Sequence, residues 1–241
     1  MSDPFLSVVI PAFNEAERLP RTLDRVDAFL RGFGPGHEIL VVDDGSLDGT
    51  AERARAAGAT VLRNDTNRGK GHAVRRGMLE ARGQRRLMTD ADLSTPIEEL
   101  PRFLEKQAEG YDVVIGSRAL PGANVEVHQP WFRENMGRLY NIFVRALALP
   151  GLWDTQCGFK LWTAEAARAA FADARLDGFS FDVEALYLAR RRGYRIAEVP
   201  VTWRNDAATR VSLGGGSAAF PDLLRIRLND WMGRYDGGRA L

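Results

Sequence analysis

The chain has 241 residues, of which 45% are hydrophobic and 27% charged, and its formal net charge is +1. This composition is typical of a globular protein and excludes a largely disordered or fibrous chain. The near-zero charge lacks the basic excess of nucleic-acid-binding domains, so nucleic acid is not an expected partner. The length suits one large α/β domain.

The single cysteine, Cys157, excludes an internal disulfide bond and favours a reducing compartment. No apolar stretch approaches the roughly 20 residues that span a bilayer, and residues 1–6 lack the basic and apolar regions of a secretory signal. We therefore expect a cytoplasmic protein. From Arg190 onward the chain has ten arginines and five acidic residues. Such a bias is typical either of a solvated helix face or of a surface that attracts anionic lipid headgroups.

Short β-type runs alternate with helical patterns in the first half of the chain. Strands are predicted over residues 6–10, 38–42, 60–63, 86–89 and 113–117. Helices are predicted between them over residues 19–30, 70–81 and 97–109, where apolar spacing or helix-forming composition favours them. This alternation predicts a mainly parallel, Rossmann-like sheet with helices on both faces.

Polar residues follow four of the predicted strands directly. They occupy residues 11–15 (PAFNE), 43–46 (DDGS), 67–71 (NRGKG) and 90–92 (DAD). In open α/β sheets, ligands bind beyond the carboxyl ends of the strands. We therefore expect these four segments to meet at one edge of the sheet.

Asp90 and Asp92 are spaced so that both carboxylates lie on one face of an extended strand. Carboxylate oxygens suit Mg²⁺, which takes one or two protein carboxylates and completes its shell with phosphate and water. The alternative is a turn or cap, because the residues 94–96 (STP) form a plausible helix start.

Asp43 and Asp44 are adjacent acids at the end of an apolar run, an arrangement that needs hydrogen-bond donors. A ribose diol or a base N–H would serve, and the alternative is a turn capped by Ser46 or Asp48. Residues 67–71 have the composition of a phosphate cradle at a helix N-terminus, but also that of a simple loop.

Three motifs in order, residues 8–15 (VVIPAFNE), 41–46 (VVDDGS) and 90–93 (DADL), resemble the family 2 glycosyltransferases of GT-A fold. Residues 67–71 with 74–78 (VRRGM), and residues 154–160 (DTQCGFK), resemble the dolichyl-phosphate β-glucosyltransferase branch. The resemblance implies a single GT-A domain over residues 1–241. Residues 1–118 would form the nucleotide-sugar-binding half, and residues 119–241 the acceptor-binding half with a C-terminal helix.

The resemblance also implies roles for individual residues. Pro11, Asn14, Glu15 and Asp43 would hold the nucleoside, with Asp44 close by. Asp90 would contact ribose or sugar, and Asp92 would ligate Mg²⁺ or Mn²⁺ together with Asp90. Further substrate contacts are implied for Phe13, Gly69, Ala91, Arg133, Gln156, Lys160, Glu184 and Ser212.

Catalytic roles are implied for Asp92, Lys70, Arg118, Asp182 and Arg210. Lys70 and Arg118 would contact the diphosphate or the acceptor phosphate, a task that suits the planar fork of Arg. Arg210 would close over a phosphate from a glycine-hinged loop. A phosphate monoester is already largely ionised near neutral pH, so we expect Asp182 to orient sugar hydroxyls or a basic residue and not to act chiefly as a base.

Residues 131–147 carry a wide apolar stripe with Arg133, Arg138 and Arg145 interleaved. The stripe is typical of a helix packed on the sheet, and alternatively of an interfacial helix on a membrane.

We expect an inverting transfer of a hexose, with UDP-glucose as donor and a polyprenyl phosphate as acceptor, at the cytoplasmic face of a membrane. The alternatives are a soluble, glycerate-like acceptor and a non-catalytic sugar-nucleotide-binding module. The sequence leaves the oligomeric state open, including a homo-oligomer.

Overall fold

The computed structural model describes residues 3–33, 36–127, 131–205 and 219–237. In chain order its strands are β1 (Leu6–Ala12), β2 (His37–Asp43), β3 (Thr60–Arg63), β4 (Arg85–Met88), β5 (Val113–Ser117), β6 (Asn124–Val127), β7 (Lys160–Thr163), β8 (Ile196–Pro200) and β9 (Thr202–Arg204). Its helices are α1 (Leu19–Phe33), α2 (Thr50–Ala56), α3 (Lys70–Glu80), α4 (Leu100–Ala108), α5 (Trp131–Leu147), α6 (Ala164–Asp173), α7 (Phe181–Arg191) and α8 (Ala219–Trp231), with a 3₁₀ turn over Ile97–Glu99.

Seven strands form one sheet in the order β3-β2-β1-β4-β7-β5-β8, and β6 pairs with β9 in a second, two-stranded sheet. In the large sheet β1, β2, β3 and β4 run parallel, as do β5 and β8, whereas β7 runs antiparallel to both β4 and β5. The predicted mainly parallel sheet is therefore confirmed. Because β7 lies between β4 and β5, the two predicted halves of the chain share this sheet.

The five predicted strands match β1 to β5 to within two residues at each end. For β1 the match follows from burial on both faces. In β1, Val8 and Ile10 contribute to the core under α1 and α4, and Val9 contributes to the core on the other face, under α3, α6 and α7. A strand covered on both faces is a continuous apolar run, which a sequence displays clearly. The three predicted helices correspond to α1, α3 and the 3₁₀ turn followed by α4.

Close packing of α3 on β1 depends on Gly77. A Cβ atom at this position would come within 2.4 Å of the Val9 side chain, so only glycine lets the helix approach the strand this closely. This packing directs the N-terminus of α3, which begins at Lys70, toward the carboxyl end of β1. Within the described residues, no helix is long and apolar enough to cross a bilayer.

Candidate active site

The loop after β1 is joined to the loop after β2 by hydrogen bonds. The Asn14 backbone N–H donates to Ser46 Oγ at 2.8 Å, and the Leu47 N–H donates to Asn14 Oδ1 at 3.1 Å. Asn14 has φ 55°, a left-handed conformation that asparagine tolerates better than most residues. The predicted nucleoside-binding segments 11–15 and 43–46 therefore lie together at the sheet edge. Pro11 still pairs within β1, opposite Val42, and Phe13 is exposed.

An open cleft of about 860 Å³ lies beside these loops, and Asn14, Glu15 and Asp92 are among its lining residues. Its wall also contains four cationic side chains, Arg18, Arg21, Arg25 and Arg53, and two further acidic ones, Glu17 and Asp48. The lining of the cleft therefore carries charges of both signs. Asp43, Lys70 and Asp182 do not line it, so the structure does not gather all the predicted site residues around one open cavity.

The adjacent acids Asp43 and Asp44 are both buried but have different partners. Asp43 Oδ1 accepts the Ser46 N–H at 3.0 Å, which is the predicted alternative of a turn. Its Oδ2 accepts no hydrogen bond from any described residue, and Arg63 Nε lies 3.3 Å away in an ion pair. One oxygen of Asp43 therefore shapes the turn, and the other is buried beside Arg63 without a hydrogen bond from the described residues.

Both oxygens of Asp44 are occupied by the segment 64–69. They accept Asn64 Nδ2 at 2.6 Å, the Gly69 N–H at 2.8 Å and the Arg68 N–H at 3.1 Å. Asp44 therefore anchors the loop before α3. Gly69 in that loop has φ 104°, and a Cβ atom there would lie 2.4 Å from the Asp177 carbonyl oxygen. The anchored loop leads directly into Lys70, the first residue of α3.

Two lysines and three aspartates form a charged cluster at the carboxyl ends of β1 and β4. Lys70 Nζ lies 2.6 Å from Asp90 Oδ1, and Lys160 Nζ lies 2.5 Å from Asp182 Oδ1. Lys160 Nζ also donates to the Cys157 carbonyl at 2.5 Å. Burial lowers the pKa of Lys70, but Asp90, Asp182 and Asp92 together outweigh burial and raise it. The fifth member of the cluster is Asp92.

Burial raises the pKa of Asp92, and the neighbouring Asp90 carboxylate raises it further. Asp92 Oδ1 accepts the Ser94 N–H at 2.9 Å, so the predicted turn is present and uses one oxygen. Leu93 closes this turn with φ 46°, a left-handed conformation that leucine seldom adopts. Burial likewise raises the pKa of Asp182, against the opposing effects of Lys160 and Lys70.

Gly158 forms part of the wall around Asp90. A Cβ atom at this position would lie 1.9 Å from Asp90 Oδ2, so the chain passes Asp90 at a distance that only glycine allows. On the other side, the Ala91 carbonyl accepts the Thr22 hydroxyl at 2.6 Å. The orientation of residues 90–92 is therefore set by contacts with α1 and with the segment before β7.

Arg118 is held by Asp154 through three hydrogen bonds. The carboxylate of Asp154 accepts the Arg118 N–H at 2.9 Å, Nε at 2.7 Å and Nη2 at 2.8 Å. Asp154 is itself positioned by Glu198, which accepts its N–H at 2.9 Å. Burial raises the pKa of Asp154, but Arg118 outweighs burial and lowers it. Arg118 also stacks on the Trp203 ring at 5.2 Å.

The site residues predicted within residues 119–241 do not all lie together in the structure. Lys160 and Asp182 join the charged cluster, and Gln156 is half-buried beside Asp154. Glu184 does not join it, because residues two apart on a helix point to nearly opposite sides. Its carboxylate instead accepts the Arg175 and Leu176 N–H groups and the Tyr235 hydroxyl. Arg210, Ser212 and the side chain of Arg133 lie outside the described residues.

Comparison with known proteins places the chain in a family. The glycosyl transferase family 2 model matches residues 7–162. This chain belongs to glycosyltransferase family 2. It is 36% identical to a dolichyl-phosphate beta-glucosyltransferase of Dictyostelium discoideum, over 95% of this chain and 76% of that protein. It is 34% identical to the protein of the same name from Homo sapiens, over 95% of this chain and 77% of that protein.

Solved structures share its fold. The glucosyl-3-phosphoglycerate synthase of Mycobacterium tuberculosis, in complex with Mn²⁺, UDP and phosphoglyceric acid, superposes with a TM-score of 0.71 at 21% identity, covering 96% of this chain and 78% of that one. The fold is therefore the GT-A fold, and the chain is a glycosyltransferase, as the sequence predicted.

Four residues of this glycosyltransferase site were not predicted from the sequence: Ser46 as a partner of Asn14, Asp154 and Glu198 behind Arg118, and Gly158 beside Asp90. Asp154 and Gly158 belong to the motif 154–160, from which only Gln156 and Lys160 were selected. The acidic residue at the start of that motif, Asp154, was the signal that the sequence offered. Glu198 lies in β8 and has no local signal, because its partner is 44 residues away.

Proposed function

We propose that the chain transfers glucose, with inversion, from UDP-glucose to the phosphate of a polyprenyl phosphate of the dolichyl type. The observation that carries the proposal is the 36% identity, over 95% of the chain, to a dolichyl-phosphate beta-glucosyltransferase. The likeness extends through both halves of the chain, so it includes the donor motifs and the segment 154–160.

The contacts of Asp43 and Asp44 support a donor site at the carboxyl ends of β1 and β2. Asp43 keeps one buried carboxylate oxygen without a hydrogen bond from the described residues, and a uracil N–H would supply the missing donor. Asp44 has both oxygens on the loop before Lys70. In the proposal, Asp43 therefore contacts the nucleoside, and Asp44 shapes the loop that positions Lys70.

The donor set at Asp90 and Asp92 fits a divalent cation. Burial raises the pKa of Asp92 and repulsion from Asp90 raises it further, and a bound cation would relieve that repulsion. Among the described residues, no three His, Cys, Asp or Glu side chains are grouped as a metal site. Mg²⁺ and Mn²⁺ accept such a set when diphosphate and water supply the other ligands. When bound there, the cation would neutralise charge on the departing diphosphate.

Lys70 and Asp182 have complementary roles in the proposed transfer. The acceptor phosphate is already largely ionised near neutral pH, so it needs orientation more than deprotonation. Lys70 offers an ammonium group to a phosphate at the mouth of the cluster. Asp182, which Lys160 holds at 2.5 Å, lies within electrostatic reach of Lys70 and orients it. In-line attack on the α-linked donor then gives a β-linked product.

Arg118 is proposed as a second phosphate contact. Asp154 holds its Nε and one Nη2 donor, and its Nη1 donors have no partner among the described residues. A guanidinium fixed on one side and open on the other is suited to binding a phosphate oxygen. Arg210, on the segment outside the described residues, is retained in the proposal as a further phosphate contact. The lipid acceptor places the reaction at a membrane surface.

A donor and acceptor screen tests the proposal. Purified chain is incubated with Mn²⁺ and either UDP-glucose or GDP-mannose, against a short polyprenyl phosphate and against 3-phosphoglycerate. We expect glucose transfer from UDP-glucose to the polyprenyl phosphate, and its loss in Asp92→Ala but not in the control Asp24→Ala. Transfer to 3-phosphoglycerate alone would instead assign a soluble acceptor, and metal-independent binding of UDP-glucose without transfer would indicate a non-catalytic module.

A further inference from the structure

Helices α5 and α8 pack against each other and leave apolar side chains exposed. Phe220 of α8 contacts the Tyr140 and Phe143 rings of α5 edge-on, at 5.5 and 5.4 Å between ring centroids. The inward sides of both helices, including Tyr140, Val144, Leu223 and Ile226, belong to one core cluster. The α5 stripe therefore packs on the rest of the protein, which was one of the two predicted roles, but only part of the stripe is buried.

The remaining part of the stripe continues onto α8. The exposed large apolar side chains of α5 are Trp131, Met136, Leu139, Ile142, Phe143 and Leu147. Those of α8 and the following turn are Leu224, Leu228, Trp231 and Met232. We name these ten residues the α5–α8 face. Trp131 is 77% exposed and Trp231 is 85% exposed. A contiguous apolar surface of this kind marks an interaction site and not an ordinary solvated surface.

Arginines border the α5–α8 face. Helical geometry places Arg138 and Arg145, seven residues apart, along one margin of the exposed α5 stripe, and Arg225 and Arg227 on the two margins of the α8 stripe. The two acids of α8 are half-buried, and Asp230 is engaged by Arg191 at 2.6 Å. An apolar centre with a cationic margin matches the acyl and phosphate layers of an anionic bilayer.

The inner side of α5 lies near the charged cluster. Burial raises the pKa of Tyr140, and the Asp182 carboxylate raises it further. The α5–α8 face is the outer side of the same helix. A second copy of the chain fits less well, because a two-fold contact would bring the arginine margins of both copies together.

We propose that the α5–α8 face docks on the surface of an anionic lipid bilayer, with its apolar side chains in the acyl boundary and its bordering arginines on lipid phosphates. The docking rests on the proposed function and extends it. It would bring a polyprenyl phosphate to the site without a membrane-spanning helix from the described residues. Tryptophans suit this depth, since their rings are apolar and their N–H groups bind polar headgroups.

Vesicle flotation of the full chain tests the docking. The probes are vesicles of phosphatidylcholine alone and of phosphatidylcholine with phosphatidylglycerol, neither containing acceptor. We expect flotation with the anionic vesicles, weakened by salt. The double variant Ile142→Asn with Leu228→Asn should lose about tenfold or more in partitioning, since both side chains lose their transfer into the acyl boundary. The control Leu79→Asn, at an exposed leucine of α3, should float as the parent does.

A second set of variants tests the arginine margin. Arg138→Gln with Arg225→Gln should reduce binding to anionic vesicles severalfold and leave binding to phosphatidylcholine unchanged, whereas Arg31→Gln with Arg55→Gln, on α1 and α2, should change neither. Quenching by brominated lipid should affect the parent more than Trp231→Phe. Circular dichroism and thermal unfolding confirm that each variant is folded.

The docking and the proposed function fail in different ways. Equal flotation of parent and Ile142→Asn/Leu228→Asn, or concentration-dependent dimerisation without vesicle binding, would overturn the docking even if a dispersed short-chain polyprenyl phosphate were glucosylated. Vesicle binding that depends on the α5–α8 face would support the docking even if no glucose transfer to that acceptor were detected, and only the proposed function would then fall.

Discussion

Two lysine–aspartate pairs lie in the same charged cluster but differ in their access to water. The side chains of Lys160 and Asp182 are 1% and 7% exposed, whereas those of Lys70 and Asp90 are 28% and 29% exposed. A buried pair cannot exchange its partner for water, so each charge depends on the other. In a part-exposed pair, each side chain can exchange its partner for a ligand at little cost in free energy. We therefore propose that the Lys160–Asp182 pair supports the site and that the Lys70–Asp90 pair contacts substrate.

Removing the buried lysine should have the largest effect. Lys160→Ala leaves the Asp182 carboxylate buried without its cation, which costs about 3–5 kcal/mol of unfolding free energy. Urea denaturation measures the loss. Lys106→Ala is the matched control, because Lys106 forms an exposed pair with Glu109 at 2.6 Å and its removal should leave stability unchanged. A Lys160→Ala variant as stable as the parent would contradict the assignment of Lys160 to support.

The stability deficit of Lys160→Ala should depend on pH. Burial raises the pKa of Asp182, so this carboxyl favours folding below its unfolded pKa of about 4, and that contribution is lost as the pH rises through the folded pKa. Lys160 opposes the rise, so its removal moves the folded pKa further up. The deficit of Lys160→Ala relative to the parent should be smaller at about pH 5 than at about pH 8. A deficit that does not change with pH would argue against a charged Asp182.

Asp90→Asn should separate stability from activity. Because the Lys70–Asp90 pair is part-exposed, stability should change by less than about 1 kcal/mol, while kcat/KM for glucose transfer should fall about 100-fold through weaker binding of the divalent cation that neutralises the diphosphate. Steady-state kinetics and urea denaturation on the same preparation measure both. Glu80→Gln, which breaks the exposed Arg76–Glu80 pair, is the control and should change neither. An equal loss of stability in Asp90→Asn and Lys160→Ala would erase the distinction between the pairs.

Gly158→Ala tests the wall around Asp90. The added Cβ atom would lie 1.9 Å from Asp90 Oδ2, so the carboxylate must leave its present position beside Lys70, and kcat/KM should fall about tenfold. Gly137→Ala is the control, because a Cβ atom on that helical glycine meets nothing within 4 Å. It should retain activity. Full activity in Gly158→Ala would show that the position of Asp90 tolerates displacement.

The smallest effect is the coupling within the part-exposed pair. A double-mutant cycle of Lys70→Met and Asp90→Asn in urea should give a coupling free energy of about 0.2–1 kcal/mol. The corresponding cycle of Lys160→Met and Asp182→Asn should give more than about 2 kcal/mol. Equal couplings would mean that exposure does not separate the two pairs.

Much of the fold of residues 1–118 could be predicted from the sequence. Strands β1 and β5 are buried on both faces and appear as apolar runs, whereas the edge strand β3 is part-exposed and β4 begins with two arginines. The polar segments after β1 to β4 converge because parallel strands end at one edge. The roles of single side chains were less predictable. Asp43 and Asp44 are adjacent and both acidic, yet one forms an ion pair with Arg63 and the other anchors a loop. Which is which depends on Asn64 and Gly69, whose positions the local sequence does not encode.

The sequence by itself determined the family, the GT-A fold and the polar segments that follow the first four strands, because motif spacing and burial patterns are local properties of the chain. Only the tertiary structure decided that β7 runs antiparallel between β4 and β5, that Lys160 belongs to Asp182 and Arg118 to Asp154, and that α5 and α8 share one exposed apolar face. Lys160 and Asp182 are 22 positions apart in the chain, and Arg118 and Asp154 are 36 positions apart. Pairing over such distances follows from packing of the whole core, which no local pattern records.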